Sequence, residues 1–152
     1  MTEIELVGID ADDTLWQSET FFAEVEEKFI ELMSKYSSDT SLEESLSSNE
    51  ISNLRVFGYG VKSFTLSMIE TAHLVSGGDI ASSDIKQIVS WGKELLQHPV
   101  ILLDGVEEAI RELASNFTVY IVTKGDLLHQ RSKIEDSGLD KLVAGFDIFH
   151  EK

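Results

Sequence analysis

Two short runs of branched and aromatic residues, IELVGI at 4–9 and FTVYIV at 117–122, are separated by a long stretch in which apolar residues recur only at helical spacing. No other feature constrains the fold as much. A run made mostly of branched aliphatics suits a strand buried between layers. The matching β-prone run comes only after the helical stretch. The simplest architecture is therefore an α/β core interrupted by an all-helical insert just after its first strand.

The insert reads as four helical segments. From Phe22, the positions Phe22, Val25, Phe29, Leu32 and Tyr36 form one helical stripe. The serine-rich segment 37–53 contains Thr40 followed by Glu43, the spacing of a capping box, and is expected to begin a second helix. After Gly58 and Gly60, the set Val61, Phe64, Met68, Ala72 and Val75 predicts a third helix that ends near Gly77 and Gly78. Ser82 or Ser83 is the expected cap of a fourth, with the stripe Ile85, Ile88, Val89, Gly92 and Leu95. It must stop before Pro99, because a residue preceding proline is pushed out of helical geometry.

Beyond the proline the pattern alternates. Val106, Ala109, Ile110 and Leu113 predict a helix, 117–122 a strand with Thr123 at its carboxyl end, 126–137 a helix stopped by Gly138, and 146–149 a short strand. Strands alternating with helices imply a parallel, doubly wound sheet.

Composition excludes some partners. The chain has 152 residues, 28 acidic against 12 basic, for a formal charge of −16. Such a surface repels phosphate backbones, so no nucleic-acid partner is expected. No cysteine is present, which removes a disulfide framework. The opening MTEIELVGIDADD has no basic head and no long apolar run, and no stretch of about eighteen apolar residues occurs. The expectation is a cytoplasmic protein without a membrane partner.

In open α/β sheets, active sites gather outside the carboxyl ends of the strands. Asp10, Asp12, Thr123 and Lys152 are each expected at such an end. Two aspartates spaced i, i+2 on a turn can give one carboxylate for nucleophilic attack and one for proton handling, around a place where Mg²⁺ would sit. Transferring an anionic phosphoryl group also needs cationic groups to offset its charge. The ordinary alternative for IDADDT is an acidic loop capping the next helix. The strand before Asp10 and the second strand ending in threonine favour the catalytic reading.

With these residues in place, the chain resembles the haloacid dehalogenase superfamily. The family's first motif, a hydrophobic strand leading into DxDxT, is matched by GIDADDTLW with Asp10, Asp12 and Thr14; its second, a strand ending in threonine or serine, by YIVTKGD with Thr123. Lys152 in FDIFHEK looks like its third-motif lysine. The resemblance implies a Rossmann-like core formed by residues 1–18 and 98–152, incomplete at the C-terminus, with residues 19–97 as a helical cap. It implies that Asp10 forms an aspartyl-phosphate and that Asp12 protonates the leaving oxygen and then activates water. Thr123 would hydrogen-bond the phosphoryl group, and Lys152 would offset charge. Mg²⁺ would be held by the Asp10 carboxylate and the Asp12 carbonyl, with further acidic ligands from a fourth motif that this sequence does not contain. Asp13 stands where many relatives have glycine, which aspartate tolerates because it enters unusual turn geometry readily.

The expected activity is Mg²⁺-dependent hydrolysis of a small phosphorylated metabolite, with the cap closing over the site. A haloacid dehalogenase is the nearest rival, but that branch usually lacks an acid at the position of Asp12. A receiver-type phosphoacceptor or an inactive truncated relative acting as a binding module are the non-enzymatic alternatives. The string FGYGVKS at 57–63 lacks the GK-Ser/Thr ending of a phosphate-binding loop and reads as a turn entering a helix. Histidines 73, 98, 129 and 150 show no metal-ligand spacing. Trp16 is read either as a core aromatic or as a border of the pocket, and Lys124 is the rival to Lys152, although neighbours on a strand point to opposite faces. A sheet ending after Lys152 is expected to leave one edge of strand 4–9 unpaired.

Overall fold

A computed structural model of the chain describes residues 4–37 and 41–150. The chain divides into two compact units, one comprising Met1–Glu19 with Pro99–Lys152 and the other Thr20–His98.

The first unit is built on a parallel three-stranded sheet in the order β1-β2-β3, with β1 at Leu6–Ile9, β2 at Thr118–Lys124 and β3 at Gly145–Phe149. Leu6 pairs with Thr118 and Ile9 with Ile121, while Tyr120 pairs with Gly145 and Lys124 with Phe149. Along β2, Val119, Ile121 and Thr123 are buried and Thr118 and Lys124 exposed. That period of two puts Thr123 on the core face with Ile121 and turns Lys124 away. Thr123 is the penultimate residue of the strand rather than a residue beyond it. β1 differs from the largely buried strand expected from its sequence: Leu6 is exposed and Val7 and Ile9 are half-buried, because β1 pairs only with β2 among the described residues. Gly145 is required where it stands, since a Cβ there would lie 2.7 Å from the Tyr120 ring on the neighbouring strand.

Helices α5 (Val106–Asn116) and α6 (Leu127–Ser137) belong to this unit. Asp126 caps α6 by accepting from the His129 backbone N–H at 3.0 Å. Gly138 closes it in left-handed geometry at φ 73, and a short 3₁₀ turn, Leu139–Lys141, follows. Ile110, Ile121, Ile134, Leu139, Leu15 and Trp16 form the core.

The second unit is all helical: α1 (Glu19–Met33), α2 (Leu42–Phe57), α3 (Val61–Val75) and α4 (Ser82–Gln97). Val25, Phe29 and Met33 of α1 meet Leu46, Phe64, Met68 and Ile88 in one core. Each such side chain withdrawn from water contributes about 1.5–3 kcal/mol. Between α2 and α3 the contact turns polar: Asn53 donates to Ser67 Oγ at 3.0 Å and to Glu70 Oε2 at 2.6 Å, and Asn49 to Thr71 Oγ1 at 2.8 Å. Gly92 of α4 permits a close approach to α3, since a Cβ would fall 2.3 Å from Thr65 Oγ1.

Two local expectations are corrected, and a third lies in part outside the described residues. The residue capping α4 is Ala81 in extended geometry, not Ser82 or Ser83, which already lie inside the helix. The residue preceding α2 is Ser41, whose side chain makes no capping bond; Thr40, half of the expected box, lies outside the described residues. Tyr36 falls after the end of α1, where its hydroxyl donates to Asp84 and accepts from the Ala81 backbone N–H at 3.0 Å. Among the described residues no helix is long and apolar enough to cross a membrane.

Candidate active site

The turn after β1 is wound tightly. Thr14 and Leu15 donate their N–H groups to the Ala11 carbonyl at 3.1 and 2.7 Å, and Asp13 N–H donates to the Trp16 carbonyl at 2.8 Å. Backbone bonds from Gln17 to Ile101 and from Leu103 to Leu15 fasten it to the returning chain. Asp13 has φ 58, the one positive value at a non-glycine residue among those described. Its carboxylate makes use of that geometry, accepting the backbone N–H groups of Ser18 and Glu19 at 2.9 and 3.1 Å at the start of α1. The acid in the glycine position of the motif thus caps a helix.

Asp10 immediately follows β1 and is exposed. Asp12, half-buried, is gripped from three directions. Trp16 donates its indole N–H to Asp12 Oδ1 at 2.7 Å, and the Lys133 ammonium lies 2.5 Å from the same oxygen. Gln130 donates to Asp12 Oδ2 at 2.9 Å and to Thr123 Oγ1 at 2.8 Å. Lys133 also lies 5.7 Å from the centre of the Trp16 ring, within cation–π range. Burial by itself pushes the Asp12 carboxyl upward. The charge of Lys133 and hydrogen bonds from Lys133, Trp16 and Gln130 together outweigh it and hold the carboxyl below the usual carboxylate range.

Because β1 and β2 are parallel and in register through Ile9 and Ile121, Asp10, Asp12 and Thr123 all lie at the same end of the sheet, and Gln130 links Asp12 to Thr123 directly. Lys152 lies outside the described residues. Lys124 is exposed on the opposite face of β2 from Thr123. Trp16 combines both readings of its sequence: it is a core residue, 1% exposed, and it touches the site.

Gln130 and Lys133 are the two site residues that sequence reasoning missed. A signal existed for the first. Gln130 precedes Ile134 by one helical turn, on the buried face of α6, and a polar residue in a core position of the helix after Thr123 asks for a partner.

A magnesium ion takes hard oxygen ligands and keeps several waters, so it needs only one or two protein carboxylates. The Asp10 carboxylate and the Asp12 backbone carbonyl fit that donor chemistry. Among the described residues no group of three or more histidine, cysteine or acidic side chains is placed to hold a metal. His98 is accounted for by stacking on Phe21, with centroids 3.6 Å apart.

Residues 4–152 match the family of haloacid dehalogenase-like hydrolases. A haloacid dehalogenase-like family hydrolase from Xanthomonas campestris superposes with a TM-score of 0.92 at 44% identity, over 98% of this chain and 63% of that one. YfnB from Bacillus subtilis, a HAD hydrolase whose structure was determined with magnesium bound, matches with a TM-score of 0.58 at 18% identity, over 97% of this chain and 66% of that one. A predicted phosphoglycolate phosphatase from Haemophilus somnus 129PT matches with a TM-score of 0.57 at 18% identity, over 97% and 64%. Solved dehalogenases match as well, at 12–18% identity. The chain thus spans just under two thirds of each of the first three structures, and no curated protein gives a significant match. With the matched family covering all but the first three residues and the strand-end aspartates and threonine in place, the chain belongs to the haloacid dehalogenase-like hydrolases.

Proposed function

We propose that the protein is a magnesium-dependent phosphohydrolase acting on a small phosphorylated metabolite. The observation that carries this reading is Asp12: an acid two residues after Asp10, held by three donors and linked through Gln130 to Thr123. Displacing a halide needs no proton donor, whereas displacing an alkoxide does. An elaborately positioned second carboxylate is therefore better explained by phosphate-ester hydrolysis than by dehalogenation.

In this reading the Asp10 carboxylate attacks phosphorus while the bond to the ester oxygen breaks, and Asp12, which must carry a proton once the substrate is bound, gives that proton to the ester oxygen. Asp12, now an anion, takes a proton from the water that attacks the aspartyl-phosphate, releasing phosphate and restoring Asp10. The Lys133 pairing favours the anionic form used in this second step. Thr123 donates a hydrogen bond to the phosphoryl group, and Lys152 offsets its charge. Magnesium, held by Asp10 and the Asp12 carbonyl, would supply charge neutralisation at the phosphoryl oxygens.

The test is a turnover assay with Mg²⁺ on a panel of small phosphomonoesters and, in parallel, 2-haloacids. Release of phosphate that disappears in Asp10→Asn is expected, since an amide cannot form the acyl phosphate. Halide release from haloacids without phosphate release from any ester would sink the proposal in favour of the dehalogenase reading.

A further inference from the structure

Gln130 is 3% exposed and Thr123 1% exposed, so both polar groups have left water and depend on each other. The orientation of the amide follows from chemistry. The amide atom 2.9 Å from Asp12 Oδ2 is the NH₂ group, which donates to it; the flipped amide would set two acceptors against each other beside a carboxylate that pairs with Lys133. That nitrogen carries two hydrogens. One is directed at Asp12 and the other, at 2.8 Å, at Thr123 Oγ1. In this contact the threonine hydroxyl is therefore the acceptor. Its own hydrogen cannot point back at Gln130 and must be donated elsewhere.

A hydroxyl on its own is an ambivalent group that rotates to suit whatever approaches it. Here one of its acceptor positions is filled by a side chain whose other hydrogen is tied to Asp12, and Asp12 is fixed in turn by Trp16 and Lys133. The geometry points to Gln130 as a positioning residue: by donating one amide hydrogen to Asp12 and the other to Thr123, it sets the Thr123 hydroxyl as a donor toward an anionic ligand oxygen. A donor aimed before the ligand arrives needs no reorganisation when charge has to be met, which is the condition under which such bonds are most effective. This inference rests on the reading of Thr123 as the contact for the anionic group.

Calorimetric titration with inorganic phosphate in saturating Mg²⁺ tests it on four forms of the protein: wild type, Thr123→Val, Gln130→Met and the double variant. Methionine keeps the volume of glutamine and removes both donors. The wild type is expected to bind phosphate, Thr123→Val to weaken binding about tenfold or more, the order of one hydrogen bond to a charged group, and Gln130→Met about three- to tenfold. The double variant should bind no more weakly than Thr123→Val within about twofold, because Gln130 acts through Thr123. If Thr123→Val weakens binding while Gln130→Met binds like wild type, or if the two losses multiply in the double variant, the inference is overturned and the phosphate reading stands. A wild type that binds no phosphate, or a Thr123→Val protein that binds it equally well, removes the anion-contact reading and this inference with it. A second measurement needs no change at Gln130. The side-chain amide hydrogens of Gln130 should exchange slowly with solvent, and one of their NMR signals should move in Thr123→Val. Exchange as fast as in an exposed glutamine, or no shift, would refute the assignment.

Discussion

The protein builds nearly the same small device twice. In the core unit, Asp12 is held by a lysine, Lys133, and an aromatic donor, Trp16. In the helical unit, Asp84 is held by a lysine, Lys35 at 2.7 Å, and an aromatic donor, Tyr36. The surroundings differ. Asp84 sits in the first turn of α4, where a negative charge also suits the helix dipole, and its partners come from the turn just past α1; the cluster fastens that turn to α4. Asp12 sits past the end of a parallel strand beside Asp10, with Gln130 joining it to Thr123. Exposure runs the same way: the Asp84 side chain is 9% exposed against 32% for Asp12. A held carboxylate is not by itself a catalytic one. Its position relative to strand ends and its remaining access to solvent decide which use it has.

The largest test of this contrast is on turnover. Asp12→Asn should lower the rate of the proposed phosphatase reaction by about two to four orders of magnitude, the usual worth of acid/base catalysis, while Asp84→Asn should leave that kcat within about twofold of wild type. Equal losses in the two variants would erase the distinction.

Next is the lysine of each cluster. Lys133 is only 12% exposed, and Lys133→Met leaves a partly buried Asp12 without its counter-charge, so a loss of about 1–3 kcal/mol is expected in urea titration. Lys35 is 51% exposed, and Lys35→Met should shift the same titration less, since solvent screens its pair. A larger loss from Lys35 than from Lys133 would reverse the ranking of the two sites.

Acid dependence is a finer comparison. Hydrogen bonds from Lys35 and then Tyr36 hold the Asp84 carboxyl below its ordinary value, so the folded state binds its proton less readily than the unfolded chain does. The resulting stabilisation is present above the unfolded-state carboxyl range and is lost as pH falls through the lowered folded-state value. Asp84→Asn should therefore flatten the decline of stability below about pH 4. Trp91 lies in the helical core and Trp16 beside Asp12, so fluorescence of Trp16→Phe, with Trp91 as the only reporter, should show the flattening. An unchanged slope would mean that Asp84 does not carry the linkage. The smallest effect is expected from Tyr36→Phe, about 1 kcal/mol in urea titration, the net worth of a single hydrogen bond.

Much of the fold was legible because its signals are local. Helical spacing located α1, α3 and α4, the segment of α2 was expected from a capping-box spacing, and Pro99 marked the end of the fourth. The misreadings also have local causes. Serine is a good cap, but the backbone of Ala81 turns into the helix first, and the Asp84 and Ile85 N–H groups bond to its carbonyl. Tyr36 continued the apolar stripe of α1, yet the chain leaves the helix before it, and its hydroxyl finds partners on a helix far along the sequence. Trp91 was left out of an aliphatic stripe although it lies three residues after Ile88 and is buried with it.

The sequence by itself determined which elements form and which side chains stand at their ends, because hydrophobic period, caps and turn residues act within a few positions of one another. IDADDT after a strand and threonine near the end of another already placed Asp10, Asp12 and Thr123 together. Only the tertiary structure decided who holds Asp12. Gln130 and Lys133 reach it from 118 and 121 residues away, and whether they do depends on the register of β1 on β2 and on how α6 lies against the sheet. Those are long-range packing choices, set by the fit of Ile121, Ile134 and Leu139 in one core, and the local sequence shows only that Gln130 needs a partner, not which one.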